Sequence, residues 1–136
     1  GKLDGITIVD DYAHHPSEIS ATLNIAKRYP HDRLVVVFQP HTYTRTKALF
    51  EDFANVLKNV EQVIIAKIYP ARETDNLGVS SHLLSDRINE LGGNATSFDT
   101  FDEIENYLLE DLHKGDLLIT MGAGDILRVG EFLLGK

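Results

Sequence analysis

Residues 10–16, Asp-Asp-Tyr-Ala-His-His-Pro, bring two carboxylates, a phenol and two imidazoles together within six positions. Carboxylates such as Asp10 and Asp11 accept hydrogen bonds from sugar hydroxyls or coordinate a divalent cation. The imidazoles of His14 and His15 bind metals or donate to anions, and their charge changes near neutral pH. Alternatively, one aspartate caps a helix and the histidines lie on its first turn. The combination of all five polar groups favours a binding site.

A second polar segment, Gln-Pro-His-Thr-Tyr-Thr-Arg-Thr, occupies residues 39–46. Its Arg45 lies close to His41 and to four hydroxyl groups, and the planar fork of a guanidinium matches two oxygens of a carboxylate or phosphate. An arginine near a helix N-terminus opposes the helix dipole, which favours a bound anion beside it. In the alternative interpretation Thr44 or Thr46 caps the helix and Arg45 is solvated.

Two further segments carry weaker signals. The turn at 121–126 is rich in glycine, so its backbone N–H groups could approach an anion; its central residues are Gly122, Ala123, Gly124 and Asp125. An ordinary tight turn would have the same sequence. In residues 69–73, Arg72 and Glu73 are equally consistent with a site and with a surface ion pair. The histidines outside these segments are expected at the surface: His31, His82 and His113.

The elements that position these segments follow from the alternation of apolar and amphipathic runs. Strands are predicted at 6–10, 33–39, 62–68, 95–98 and 116–122. Helices are predicted at 17–29, 46–59, 80–93, 102–115 and 124–134. This alternation predicts one α/β domain over residues 1–136, with three layers and a doubly wound, mostly parallel sheet. Ligands bind beyond the carboxyl ends of such strands, and that is where the polar segments fall.

Composition restricts the class of protein. A chain of 136 residues with 43% hydrophobic and 25% charged residues can build one hydrophobic core. The net charge of −8 argues against nucleic-acid binding. No apolar run reaches the length of a membrane span. The chain has no cysteine, which fits a reducing compartment, so a soluble, cytoplasmic protein is predicted.

Three classes of protein can be weighed on these residues. A response-regulator receiver domain is rejected, because no aspartate follows the third strand and Lys67 lies on the wrong strand. A metal-dependent phosphoesterase is disfavoured, because adjacent histidines on a helical turn diverge and no further ligands follow the third strand. A stand-alone nucleotide- or anion-binding module remains open. The sequence lacks the phosphate-binding motif GxxxxGK[ST], which favours such a module over a complete NTPase.

The segments DDYAHHP, FQPHTYTRT and GAGDI, in this order, resemble the C-terminal domain of the Mur ligases over essentially the whole chain. The first two together are most similar to the members that add L-alanine to UDP-N-acetylmuramic acid. A related ligase that recycles murein peptides shares an aspartate- and histidine-rich first motif and is the nearest alternative within the family.

The resemblance implies an ATP- and Mg²⁺-dependent ligase of peptidoglycan biosynthesis that forms an amide through an acyl phosphate. Its partners would be L-alanine, ATP, UDP-N-acetylmuramic acid and the enzyme's own N-terminal and central domains. Those two domains would precede residue 1, so the 136-residue chain is expected to be inactive alone. No nucleic acid and no membrane are expected as partners.

Roles for individual residues come from the same resemblance. Asp11 and His15 would contact the nucleotide. The L-alanine pocket would be lined by four residues: Tyr12, His14, His41 and Arg45. The loop at 122–125 would border this pocket, and no metal ligand is expected in this domain. Several members have an arginine where this chain has Thr42, so one cationic contact to the carboxylate is absent here.

Overall fold

From residue 6 onward, strands follow helices in the predicted order, while a short strand at Lys2–Leu3 precedes them and was not predicted. The computed structural model describes residues 1–135. The strands are β1 (Lys2–Leu3), β2 (Ile6–Asp11), β3 (Arg33–Phe38), β4 (Gln62–Ile65), β5 (Ala95–Ser97) and β6 (Asp116–Met121). The helices are α1 (Pro16–Ala26), α2 (Tyr43–Ala48), α3 (Phe50–Leu57), α4 (Ser81–Glu90), α5 (Phe101–Asp111) and α6 (Leu127–Leu133).

The strands form one sheet in the order β1-β2-β6-β3-β4-β5. Every pairing from β2 to β5 is parallel, and β1 pairs antiparallel with the start of β2. The continuously apolar strands β3 and β6 lie at the centre, where both faces of the sheet are covered by helices. The predicted fold class, a three-layer and mostly parallel α/β domain, is confirmed.

A hydrophobic core lies on each face of the sheet. One core joins α1, α3 and α4 to the sheet, and the rings of Phe38 and Phe53 are packed within it at a centroid distance of 5.2 Å. The other core joins α5 and α6 to the opposite face through residues such as Ile64 and Leu118. Burial on both sides fixes the register of the strands, and hence the positions of the loops at their ends.

The predicted helix at 46–59 is in fact two helices that meet at Leu49. The backbone of Leu49 leaves the helical region, with φ −112° and ψ 19°. The first of these helices, α2, also begins earlier than predicted, at Tyr43. It does so because the hydroxyl of Thr42 accepts a hydrogen bond from Arg45 N at 3.2 Å and caps the helix.

Other boundaries differ by a few residues. The strand predicted at 62–68 ends at Ile65, because its neighbour β5 offers partners only as far as Ser97. The last helix begins at Leu127, since residues 122–125 form a separate turn. Ser80 caps α4 as predicted, accepting a hydrogen bond from Leu83 N at 3.1 Å. Within the part of the chain that the structure describes, no helix combines the length and apolarity needed to cross a membrane.

Candidate ligand-binding site at the carboxyl edge of the sheet

Four loops meet at the carboxyl edge of the sheet. Strands β2, β6, β3 and β4 are neighbours in the sheet and run parallel, so the loops that follow them lie side by side. These loops contain the segments that the sequence singled out. The arrangement is that of open α/β sheets that bind ligands beyond their strand ends.

Four aromatic rings form a row across this edge, from the loop after β2 to the loop after β4. Tyr12 packs edge-on against His14 at a centroid distance of 5.5 Å, and His14 lies 6.0 Å from His41. His41 stacks on Tyr69 at 5.4 Å, with an angle of 18° between the rings. Tyr12, at 69% exposure, is the solvent-facing end of the row. The row therefore offers one wall of rings to a ligand.

The two aspartates of the first segment have different partners. The carboxylate of Asp11 accepts hydrogen bonds from Ala13 N at 2.7 Å and from the Thr22 hydroxyl at 3.0 Å. Asp10 accepts a hydrogen bond from the Thr120 hydroxyl at 2.7 Å. Neither aspartate caps α1. The carboxylate of Asp11 is thus held rigidly and is half-buried, and its two oxygens retain unused acceptor positions.

His15 occupies the N-cap position of α1 and lies apart from the row of rings. Its imidazole Nδ1 is 3.1 Å from the Ser17 hydroxyl, and the residue is exposed. Glu18 reaches back and accepts hydrogen bonds from the backbone N–H groups of His14 and His15. The His14 N–H in particular lowers the pKa of Glu18. This carboxylate fixes the start of α1 and hence the backbone that carries both histidines.

Arg45 and His41 are joined directly. The Arg45 Nη1 donates a hydrogen bond to His41 Nδ1 at 3.2 Å. Burial, followed by the charges of Arg45 and His14, lowers the pKa of His41. The imidazole is therefore neutral at pH 7, with its proton on Nε2, because an arginine has no acceptor and Nδ1 must accept. The pair presents one permanent cation beside a neutral ring.

The backbone at Thr42 adopts φ 65° and ψ 146°, which is rarely populated by a β-branched residue. Thr42 N donates to Tyr69 O at 2.8 Å, and Thr42 O accepts from the Thr46 hydroxyl at 2.7 Å. The N-cap is thus Thr42 and neither Thr44 nor Thr46. The strained conformation aims the following helix so that Arg45 returns toward His41.

The carboxylate at the start of α2 belongs to Glu73. It accepts hydrogen bonds from the backbone N–H groups of Tyr43 and Thr44 and from the Thr44 hydroxyl. These bonds, led by that of the hydroxyl, lower the pKa of Glu73. The sequence suggested a surface pair with Arg72 as one alternative, but Glu73 instead joins the loop after β4 to α2. An internal anion therefore fills the helix end at which the sequence suggested a ligand.

The glycine-rich turn after β6 lies against the middle of this site. Gly122 N donates to Asp11 O at 3.1 Å, and Gln39 Nε2 donates to Asp125 Oδ1 at 3.2 Å. A Cβ atom at position 124 would lie 2.9 Å from the ring of Tyr69, so only glycine fits there without displacement. The turn thus links the Asp11 side of the edge to the Tyr69 side, while Ala123 is half-buried.

The structure brings some predicted residues together and separates others. Tyr12, His14, His41 and Arg45 form one cluster, whereas His15 lies outside it. No group of three or more His, Cys, Asp or Glu side chains within residues 1–135 is arranged to hold a metal ion. The sequence did not single out Tyr69 or Gln39, although both follow strands at the same edge, which was the available signal.

Of the three histidines that the sequence placed at the surface, His82 makes hydrogen bonds to other side chains. His82 is exposed but hydrogen-bonds to Asp99 at 3.0 Å and to the Ser97 hydroxyl. His113 is exposed as predicted, and His31 is half-buried. All three lie outside the cluster of rings.

The chain is similar in sequence to a known family and to proteins of established description. Residues 1–124 match the profile of the family described as Mur ligase, glutamate ligase domain. The chain is 58% identical over 134 residues to a UDP-N-acetylmuramate–L-alanine ligase of Lachnospira eligens, covering 98% of this chain and 29% of that protein. It is 57% identical over 136 residues to the ligase of the same description from Agathobacter rectalis, covering all of this chain and 30% of the relative. The chain thus spans less than a third of these relatives.

Solved structures with the same fold include two from this group of proteins. The UDP-N-acetylmuramate–alanine ligase of Thermotoga maritima superposes with a TM-score of 0.77 at 26% identity, over 97% of this chain and 26% of that chain. A domain of a ligase from Haemophilus ducreyi superposes with a TM-score of 0.72 at 23% identity, over 99% of this chain and 94% of that domain. The second likeness concerns the fold alone.

Proposed function

The chain belongs to the Mur ligase family through its glutamate ligase domain, and we propose that it is the C-terminal domain of the ligase that joins L-alanine to UDP-N-acetylmuramic acid. The relatives of this description, at 57–58% identity over nearly the whole chain, support this assignment. In the proposed reaction ATP activates the sugar carboxylate as an acyl phosphate. The amine of L-alanine attacks it and yields the amide, ADP and phosphate.

The observation that carries the proposal is the cluster of Arg45, His41 and His14. The guanidinium of Arg45 provides a planar pair of donors for the carboxylate of L-alanine. The neutral His41 holds that guanidinium at 3.2 Å and, with Nε2 protonated, has a donor of its own. Tyr12 and His14 complete the wall of rings beside which the small side chain would lie. Because Thr42 carries no charge, either Arg45 alone holds the carboxylate or a group elsewhere in the enzyme completes the pocket.

The nucleotide would approach from the Asp11 side of the edge. The Asp11 carboxylate is held by Ala13 N and Thr22, and its free acceptor positions fit the hydroxyls of a ribose. His15 stays a predicted nucleotide contact. No metal ligand is expected in this domain, and in our proposal Mg²⁺ and the phosphates are held by the other domains of the enzyme.

The test is ADP release by the full-length natural protein with ATP, Mg²⁺ and UDP-N-acetylmuramic acid, with L-alanine added last. We expect a jump on addition of L-alanine. Arg45→Ala should raise the KM for L-alanine about tenfold to hundredfold, as expected for the loss of a charge-assisted hydrogen bond. Lys47→Ala is the matched control, because Lys47 is exposed on the same helix, and it should leave this KM unchanged.

Two other outcomes would replace the proposal. A response to the tripeptide L-alanyl-γ-D-glutamyl-meso-diaminopimelate, without one to L-alanine, would identify the peptide-recycling ligase instead. If neither L-alanine nor the tripeptide increases ADP release, the stand-alone nucleotide- or anion-binding module is the remaining interpretation. The reading frame upstream of residue 1 separates a ligase from the stand-alone module, since a GxxxxGK[ST] motif there supports a ligase. The cytoplasmic location and inactivity of the 136-residue chain by itself stay predictions.

A further inference from the structure

Gln39, the residue after β3, lies buried beneath the glycine-rich turn. Gln39 is only 4% exposed. Its Nε2 donates to Asp125 Oδ1 at 3.2 Å, and its backbone N–H donates to Met121 O at 2.9 Å. Its Oε1 is buried without a hydrogen-bond partner among residues 1–135. Buried oxygens of this kind are rare, because leaving one unpaired is costly.

The turn closes tightly over this amide. A Cβ atom at position 124 would lie 2.7 Å from Gln39 Oε1 and 2.9 Å from the Tyr69 ring. At position 122, a Cβ atom would lie 3.0 Å from the Gln39 carbonyl oxygen. Gln39, Gly124 and Tyr69 are therefore packed against one another with no spare space. A shift of the turn has to displace either the amide or the ring.

Tyr69 passes any such shift on to the proposed amino-acid pocket. Its ring stacks on His41, and its carbonyl accepts from Thr42 N at 2.8 Å. His41 in turn accepts the hydrogen bond of Arg45 at 3.2 Å. A continuous set of contacts thus runs from Asp125 through Gln39 and Tyr69 to the guanidinium.

We propose that Gln39 is a positioning residue. It holds the 122–125 turn through Asp125, and the turn in turn presses Tyr69 against His41 and sets the place of Arg45. Gln39 itself does not touch the ligand. The inference rests on the proposed function only in naming L-alanine as the ligand of that pocket. An apolar side chain of similar length would fill the space without an unpaired oxygen, but it could not hold Asp125.

The experiment exchanges donor and acceptor in the full-length enzyme. Gln39→Glu places two carboxylates at a hydrogen-bond distance, so they repel and release the turn. Gln39→Glu combined with Asp125→Asn restores one amide–carboxylate bond with the polarity reversed. We expect the single variant to raise the KM for L-alanine about tenfold while the KM for ATP stays within about twofold, as for misplaced binding groups. The double variant should recover most of that loss.

A second readout does not depend on the reaction. Hydrogen–deuterium exchange of the peptide that contains residues 122–125 should accelerate in Gln39→Glu and slow again in the double variant. Gly124→Ala perturbs the same contacts from the other side and should also raise the KM for L-alanine. Gly130→Ala is its matched control, because this glycine lies in α6 against Ile8, away from the turn.

The outcomes separate the two proposals. If the wild-type enzyme ignores L-alanine, the proposed function fails, and the exchange of residues 122–125 alone decides whether Gln39 holds the turn. If L-alanine is used but Gln39→Glu changes neither its KM nor the exchange, the positioning role is overturned. It is also overturned if the KM values for L-alanine and ATP rise together, or if the double variant shows no recovery, because general loss of structure would explain either result.

Discussion

At the scale of single residues, the proposed L-alanine pocket depends most on the contact between Arg45 and His41. Burial, followed by the charge of the Arg45 guanidinium, lowers the pKa of His41, and Arg45 Nη1 donates a hydrogen bond to His41 Nδ1. The imidazole in turn orients the guanidinium. Each side chain thus sets the state of the other, and a permanent cation is held in one place beside His41.

This pair predicts a specific dependence of stability on pH. The pKa of His41 is lowered from its ordinary value of 6.5, so the unfolded chain takes up this proton at higher pH than the folded chain. The contribution of His41 to the free energy of unfolding is fully present above pH 6.5. It is lost as the pH falls from 6.5 through the lowered pKa of His41 in the folded state. Chemical denaturation between pH 7 and pH 5 should therefore show the difference in unfolding free energy between wild type and His41→Gln becoming smaller.

The matched variant for this measurement is Arg45→Met. It removes the charge that, after burial, most disfavours the protonated imidazole. The loss of stability between pH 7 and pH 5 should be weaker in Arg45→Met than in the wild type. An equal loss in both proteins would contradict the assigned cause.

At the scale of secondary-structure elements, the short helix α2 depends on a carboxylate from a distant loop. Its first N–H groups have no acceptors within the helix. The carboxylate of Glu73, 29 and 30 positions along the chain, accepts the hydrogen bonds of Thr44 N and Tyr43 N. The Thr42 side chain caps the same end. A helix of six residues is too short to be stable by itself, so these contacts decide whether Arg45 is held in place.

Glu73→Ala should therefore release the start of α2. The backbone amide protons of Tyr43 and Thr44 should exchange faster, by about tenfold or more if the local opening becomes easier. Glu90→Ala, at an exposed position on α4, is the control and should leave these amides unchanged. Because the pKa of Glu73 is lowered from 4.5, acidification below that value should mimic the substitution. Unchanged exchange in Glu73→Ala would show that Thr42 alone suffices.

At the scale of the whole molecule, a buried ion pair fixes the opposite edge of the sheet. Arg33 Nε and Nη2 donate to the two oxygens of Asp116 at 3.2 and 2.7 Å, joining β3 to β6. Arg33 also donates to Asp111 O at 2.9 Å at the end of α5. Burial raises the pKa of Asp116, but the hydrogen bonds from Arg33 and His113 N outweigh burial and lower it overall. This ion pair thus lies at the opposite end of the strands from the proposed ligand site.

Arg33→Met should destabilise the domain by about 3 kcal/mol or more, because it leaves the buried Asp116 charge without its partner. Denaturant unfolding of the 136-residue chain measures this cost. Arg87→Met, which removes the exposed pair of Arg87 with Glu51, is the control and should cost much less. Comparable costs for the two variants would mean that burial at Asp116 does not govern the energetics.

Apart from β1 and the division of the second predicted helix into α2 and α3, the sequence by itself determined the order and type of the elements, the mostly parallel sheet and the family. These follow from local patterns: apolar runs mark buried strands, and the motifs DDYAHHP and QPHTYTRT follow them directly. The end of the sheet at which a ligand binds stays a prediction. Only the tertiary structure decided that Tyr69 completes the row of rings, that Glu73 fills the start of α2, and that Gln39 lies beneath the glycine turn. Each of these contacts joins residues 28 to 86 positions apart, brought together by the sheet order, which no local pattern encodes.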